Sequence, residues 1–245
     1  MQLTIKKTFS YTLSLCLAVL FTANLDAQKT QYLTSPKDGF SKKKTTYITL
    51  MDGTEAQGTI KKLKRSKWLF EEVHLEADGK KHKIKAKDIK FMYLPQSGWD
   101  KIDKALGVAS NATEWQSKTD ANEELIKDGY AYFETTEVYI KKKKKETLLL
   151  QLLNPAFGSK VKVFHDPSAR ERGGLLSVGG IALTETYENS YYIKIDNNAA
   201  YKLKKKDYKK QASNVFGACP GFVKSMDTDW KKLGETLFNY SQSCD

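Results

Sequence analysis

Residues 78–94 read DGKKHKIKAKDIKFMYL, and the order of residue types in that stretch already implies a fold. His82, Ile84 and Ala86 alternate with Lys81, Lys83, Lys85 and Lys87. Successive side chains of a β-strand point to opposite sides, so this alternation describes a strand with one buried face and one face in water. Asp78-Gly79 ahead of it is a pair that tolerates the backbone of a tight hairpin turn. Residues 89–94 continue as a second apolar strand that stops at Pro95. Upstream, residues 47–50 run into the turn signal Met51-Asp52-Gly53-Thr54, and residues 57–62 and 68–75 again have strand character. Residues 45–95 are therefore expected to form five or six antiparallel strands, as a meander or a small barrel.

Downstream, residues 98–111 carry Trp99, Ile102, Leu106 and Ala109 at helical spacing. Asp120 and Glu123 have the spacing of a capping box for a helix over 121–127, with Gly129 just past its end. This makes 96–129 a helical connector. Strand character returns at 130–141, 147–153 and 160–165, and 191–196 is suited to pair with 200–204 across Asn197-Asn198. Residues 130–204 thus read as a second β unit. Residues 205–245 read as a helical hairpin. One helix stops at Gly217, Pro220 opens another, and Asp227 or Thr228 caps a last helix with Trp230, Leu233, Leu237 and Tyr240 on one face. The expected fold class is mainly β (α+β): antiparallel meanders or a small barrel, followed by a C-terminal helical hairpin.

The 245 residues include 41 Lys and Arg against 29 Asp and Glu, a formal net charge of +12. Residues 1–27 have a positive start (Lys6, Lys7), an apolar core over 11–21 and a small residue, Ala27, at the expected cut. That is the pattern of a secretory signal peptide, and its core is too short to span a bilayer as a helix. Residues 28–44 form a polar leader. Export would remove Cys16 and leave Cys219 and Cys244, an even count that favours one disulfide in an oxidising compartment. The two cysteines fall at the start of one tail helix and the end of another, which an antiparallel hairpin would bring together.

The sequence carries no complete motif for catalysis. Residues 173–180 (GGLLSVGG) lack the Lys and Ser or Thr of a phosphate loop. His74 and His82 could meet on neighbouring strands, flanked by Glu72, Glu76 and Asp78, but two histidines beside a turn are more often incidental, and no metal is expected. His165-Asp166-Pro167 could orient an imidazole toward Ser168 or Ser177, yet no nucleophile elbow surrounds either serine, and Asp-Pro is an ordinary turn opener. Neither a catalytic residue nor a cofactor is expected.

The lysine surplus is the remaining signal. Only Arg65, Arg170 and Arg172 are arginine, so the positive charge is carried mainly by hydrated ammonium groups. Lys61, Lys62, Lys64 and Arg65, with Lys141, Lys142, Lys143, Lys144 and Lys145, are the candidate contacts for an anionic polymer. Lysines on outer faces and turn tips also discourage edge-to-edge pairing. Trp68, Tyr93, Trp99, Tyr130, Tyr132, Tyr191 and Tyr192 could line a groove or pack in the core.

The cut site LDAQ, the strand-turn-strand YITLMDGTEAQGTI at 47–60, and the stretch from Tyr191 through Cys219-Pro220 to Cys244 resemble uncharacterised secreted β-rich proteins of Bacteroidota-type bacteria. In this chain Asp52-Gly53 stands where such proteins more often have Gly-Asp. The resemblance implies an envelope location and no activity. The expected function is that of an exported, non-enzymatic binding or interaction module. Its partners would be anionic envelope polymers or an envelope protein, with no nucleic acid and no membrane span after cleavage. The alternatives are a secreted hydrolase using His165 and nearby carboxylates, or an accessory subunit of an envelope complex.

Overall fold

The computed structural model describes residues 32–97, 119–141, 143–169, 177–178, 181–182 and 189–244. The expected signal peptide, the helix expected over 98–111, and Lys142 lie outside them.

Five strands occupy the first β stretch: β1 (Thr45–Leu50), β2 (Glu55–Ser66), β3 (Leu69–Ala77), β4 (Lys80–Lys85) and β5 (Ile89–Pro95). The first four pair antiparallel in sequence order. β5 does not extend the meander past β4 but returns to the other edge of β1, with Tyr47 opposite Tyr93 and Ile48 opposite Met92. The reason lies in the apolar pattern. Met92 and Leu94 share the buried face of Ile48, Ile60, Val73 and Leu75, whereas β4 offers only Ile84 to that core. Trp68, expected within a strand, is instead part of the turn between β2 and β3.

The second stretch supplies β6 (Tyr130–Lys141), β7 (Lys144–Gln151), β8 (Val161–His165), β9 (Ser177–Val178), β10 (Ile181–Ala182), β11 (Ser190–Ile195) and β12 (Ala200–Lys204). β6 pairs with β5 through its first half and with β7 along most of its length. It also pairs parallel with β12 at Val138 and Tyr139. The result is one ten-stranded sheet of order β4-β3-β2-β1-β5-β6-β12-β11-β8, with β7 also on β6 and β9–β10 apart as a two-stranded ribbon. The two β stretches therefore share one sheet. It remains open, a meander-based sheet rather than a closed barrel, although a bridge between Leu152 and Phe164 brings β8 back to the end of β7. The left-handed residue of the β11–β12 turn is Asp196 (φ 49°), ahead of the expected Asn pair.

Four helices complete the described chain: α1 (Glu123–Lys127), α2 (Tyr208–Val215), α3 (Pro220–Ser225) and α4 (Leu233–Ser243). α1 is capped by Asn122, whose side chain accepts from the Leu125 amide at 3.0 Å. Asp120 is not the cap: it lies 3.6 Å from Lys162. Asn122 wins because its oxygen reaches an otherwise unpaired first-turn N–H. In the tail, Trp230, Leu233, Leu237 and Tyr240 are buried together as the helical spacing predicts. They pack with Val161, Val163, Tyr191, Ile193 and Leu203 of β8, β11 and β12. The turn before α4 is capped by Asp229 rather than by Asp227 or Thr228. Residues 32–44, read as a polar leader, lie along the molecule. Thr34 donates to the Leu153 carbonyl at 2.7 Å, and Phe40 packs edge-on to Phe133.

Candidate functional site

β8 ends at His165, and the residue after it, Asp166, is only 1% exposed. A carboxylate taken out of water is tolerated only if its oxygens are fully bonded. Oδ1 accepts from the Ser168 amide (3.1 Å) and from Ser168 Oγ (2.7 Å). Oδ2 accepts from Ser190 Oγ (2.6 Å) and pairs with Lys202 Nζ (2.8 Å). Lys202 also donates to Ser168 Oγ at 2.9 Å and stands 5.1 Å from the centre of the Tyr192 ring. Burial pushes the Asp166 pKa up, but the bonds from Lys202, Ser190 and Ser168 outweigh it and hold the group below its ordinary value. Burial likewise acts to lower Lys202, and its partner Asp166 more than reverses this, so the ammonium is held above its ordinary value.

This arrangement determines what Ser168 can do. Its hydroxyl bridges a carboxylate and a charged ammonium, which donates a hydrogen bond and has no lone pair to receive a proton. The cluster ties together the end of β8, the start of β11 and the middle of β12. His165 lies opposite Tyr191 on β11.

The two other histidines do not converge. His82, expected on the buried face of its strand, is exposed at the turn end of β4; it pairs with Leu75 while His74 pairs with Lys83. Paired residues share a face and successive residues alternate, so the two imidazoles emerge on opposite sides of the sheet. His74 Nε2 lies 2.9 Å from Glu72. Among the described residues no group of three or more His, Cys, Asp or Glu side chains is placed to hold a metal.

The aromatic candidates divide between two sides. Tyr47, Tyr93 and Tyr132 stand in register across β1, β5 and β6, and the Tyr93 and Tyr132 ring centres are 4.9 Å apart. Tyr130 and Tyr192 belong to the same apolar cluster, partly covered by Leu125 and Ile126 of α1. The Tyr93 hydroxyl accepts from the Asn122 amide at 2.8 Å. Burial drives the Tyr132 hydroxyl far above the ordinary tyrosine range. Tyr191 faces the helical tail and stacks on Trp230 at 5.4 Å. These rings are packing elements of two cores, and Trp68 stands apart from both, exposed.

The basic candidates lie on outer surfaces. Through the registers of β2, β3 and β4, Lys62 and Lys64 share a face with Glu72, His74 and Glu76 and with Lys81, Lys83 and Lys85. Two rows of lysine thus flank one acidic row, and the opposite face is the core. Lys61, the extra residue at an irregularity in β2, reaches Glu76 at 3.0 Å, and Lys64 reaches Glu71 at 3.2 Å. Arg65 is drawn inward: its guanidinium lies over the Phe70 ring at 4.6 Å and 3.6 Å from Asp38. At the β6–β7 hairpin, Lys141 and Lys143 are exposed, Lys144 pairs with Glu146 (2.8 Å) and Lys145 with Glu137 (2.7 Å). The two lysine groups are distinct patches.

Cys219 and Cys244 are at disulfide distance, with Cα atoms 5.8 Å apart. Cys219 precedes α3 and Cys244 follows α4, so the pair joins the start of α3 to the end of α4. Among the described residues no helix is long and apolar enough to cross a membrane.

Comparison with family models, curated proteins and solved structures finds no match to this chain. Its function has to be argued from its own surface. Two features escaped sequence reading: the Asp166 cluster, whose partners come from Ser190 and Lys202 far along the chain, and the turn position of Trp68.

Proposed function

We propose that this chain is an exported, non-enzymatic binding module of the cell envelope, held on anionic surfaces by its lysine-rich outer faces. The observation that carries the reading is the face of β2, β3 and β4, where Lys62, Lys64, Lys81, Lys83 and Lys85 surround the carboxylates of Glu72 and Glu76. Cations spaced along a solvated sheet attract an extended polyanion without the forked geometry that arginine would supply. The export-type residues 1–27 and the Cys219–Cys244 pair suit an oxidising compartment outside the cytoplasm. The Asp166 cluster reads as a structural tie, because its serine and lysine are engaged with each other and with a buried carboxylate.

Co-sedimentation of the chain from Gln28 onward with isolated envelope fractions, across a salt series, tests the reading. Binding should weaken steeply with salt, since exposed charges are screened beyond about 8 Å at physiological ionic strength. Replacing Lys81, Lys83 and Lys85 by Gln should weaken it further than replacing Lys141, Lys143, Lys144 and Lys145. The second group has Glu137 and Glu146 as close partners. Binding that ignores both salt and the substitutions overturns the proposal.

A further inference from the structure

We propose that the tip of the β2–β3 hairpin is a docking finger for an anionic lipid surface, with Trp68 as the side chain that enters the headgroup layer. The proposal rests on the envelope reading and names the chemistry of the surface met. Ser66 pairs with Leu69, so the connection is Lys67 and Trp68 alone. Both have positive φ, 48° and 73°. A two-residue hairpin needs this left-handed backbone, and Asn, Asp and Gly adopt it most readily. The same sheet uses such a pair at the next turn, where Asp78 and Gly79 have φ of 51° and 72°. At 67–68 the identical sign pattern is imposed on a lysine and a tryptophan, and a bulky residue there is an outlier. The ring gains little burial in exchange. Trp68 is 70% exposed, and the other large hydrophobic exposed among the described residues, Met51 at 50%, lies at the β1–β2 turn. Strain retained at an exposed tip directs attention to what the side chain does there.

Leu69 and Phe70 pack into the apolar clusters, and the exposed tip consists of Ser66, Lys67 and Trp68. β1 pairs with β2 no further than Thr59, and β4 pairs with β3 no further than Glu72, whereas β2 and β3 stay paired to Ser66 and Leu69. The hairpin's base is stiffened by Arg65, which lies over Phe70 and donates to the Asp38 carbonyl at 3.2 Å. Ser66, Lys67 and Lys64, next to Trp68 in the hairpin, are exposed, and the carboxylate of Glu71 is paired with Lys64. An amphipathic indole flanked by ammonium groups suits a lipid headgroup layer carrying negative charge. A sugar platform would instead place carboxylates and amides beside the ring to bond hydroxyls.

The test uses phosphatidylcholine vesicles with and without phosphatidylglycerol, and the chain from Gln28 onward, because the apolar stretch 11–21 would itself seek lipid. The parent chain should bind the anionic vesicles and not the neutral ones. Trp68→Ala should weaken that binding about tenfold or more. Lys67→Asn combined with Trp68→Gly restores the favoured turn pair. It should raise Tm by about 2–4 °C while losing the same binding, which separates the side chain's role from folding. Equal vesicle binding by parent and variants overturns the finger. Envelope fractions bound without anionic vesicles overturn the lipid surface and leave the envelope reading standing. Binding to neither overturns both.

Discussion

Lys202 Nζ lies 2.8 Å from Asp166 Oδ2, a strand-to-turn ion pair in which the carboxylate is almost wholly buried and the ammonium is half-buried. Removing one partner strands the other charge. Lys202→Met should cost about 3–5 kcal/mol, measured as a shift of the urea unfolding midpoint.

The same pair sets a pH dependence. The folded pKa of Asp166 is below its unfolded value near 3.8, so its contribution is present above that value and is lost as pH falls through the folded pKa. The folded pKa of Lys202 is above its unfolded value near 10.5, so its contribution is present below that value and is lost as pH rises through the folded pKa. The stability gap between the parent chain and Asp166→Asn should be flat between about pH 5 and pH 9 and narrow toward pH 2. A gap that widens on acidification would contradict the assignment.

The Cys219–Cys244 pair closes a separation of 25 residues around the tail. In the chain-entropy account such a bond stabilises by about 3.5 kcal/mol. Cys219→Ser with Cys244→Ser should therefore lower Tm by about 10 °C, with the far-ultraviolet strand signal retained. Adding reductant to the parent chain should reproduce the loss, and an unchanged midpoint would mean that the bond does not form.

Gly58 is required by close approach of the backbone. A Cβ built there meets the Glu76 carbonyl within contact distance and the Ala77 Cβ at 3.3 Å. Gly58→Ala should therefore part β2 from β3 locally and cost about 1–3 kcal/mol in urea unfolding. Gly221, where a Cβ meets nothing within 4 Å, is the control and should change stability little.

Much of the local structure was legible because burial leaves a period in the sequence. The lysines of β4 face water while Ile84 and Ala86 turn inward, and Trp230, Leu233, Leu237 and Tyr240 gather on one side of the tail as their helical spacing requires. The Asp78-Gly79 turn was legible for a related reason: few residue types accept its backbone. Trp68 was not, since a bulky aromatic ordinarily belongs to a strand and only the pairing of Ser66 with Leu69 places it in a turn.

By itself, the sequence determined where most strands and helices lie, which face of many of them is apolar, and that the chain carries a formal net charge of +12. Tertiary structure alone decided that β5 returns to β1, that β12 joins β6 in parallel, and that Ser190 and Lys202 close around Asp166. The physical reason is range. Periodicity records whether a side chain is buried, and that is local. Which strand covers it, and which distant ammonium meets a buried carboxylate, depends on how all the apolar faces pack at once.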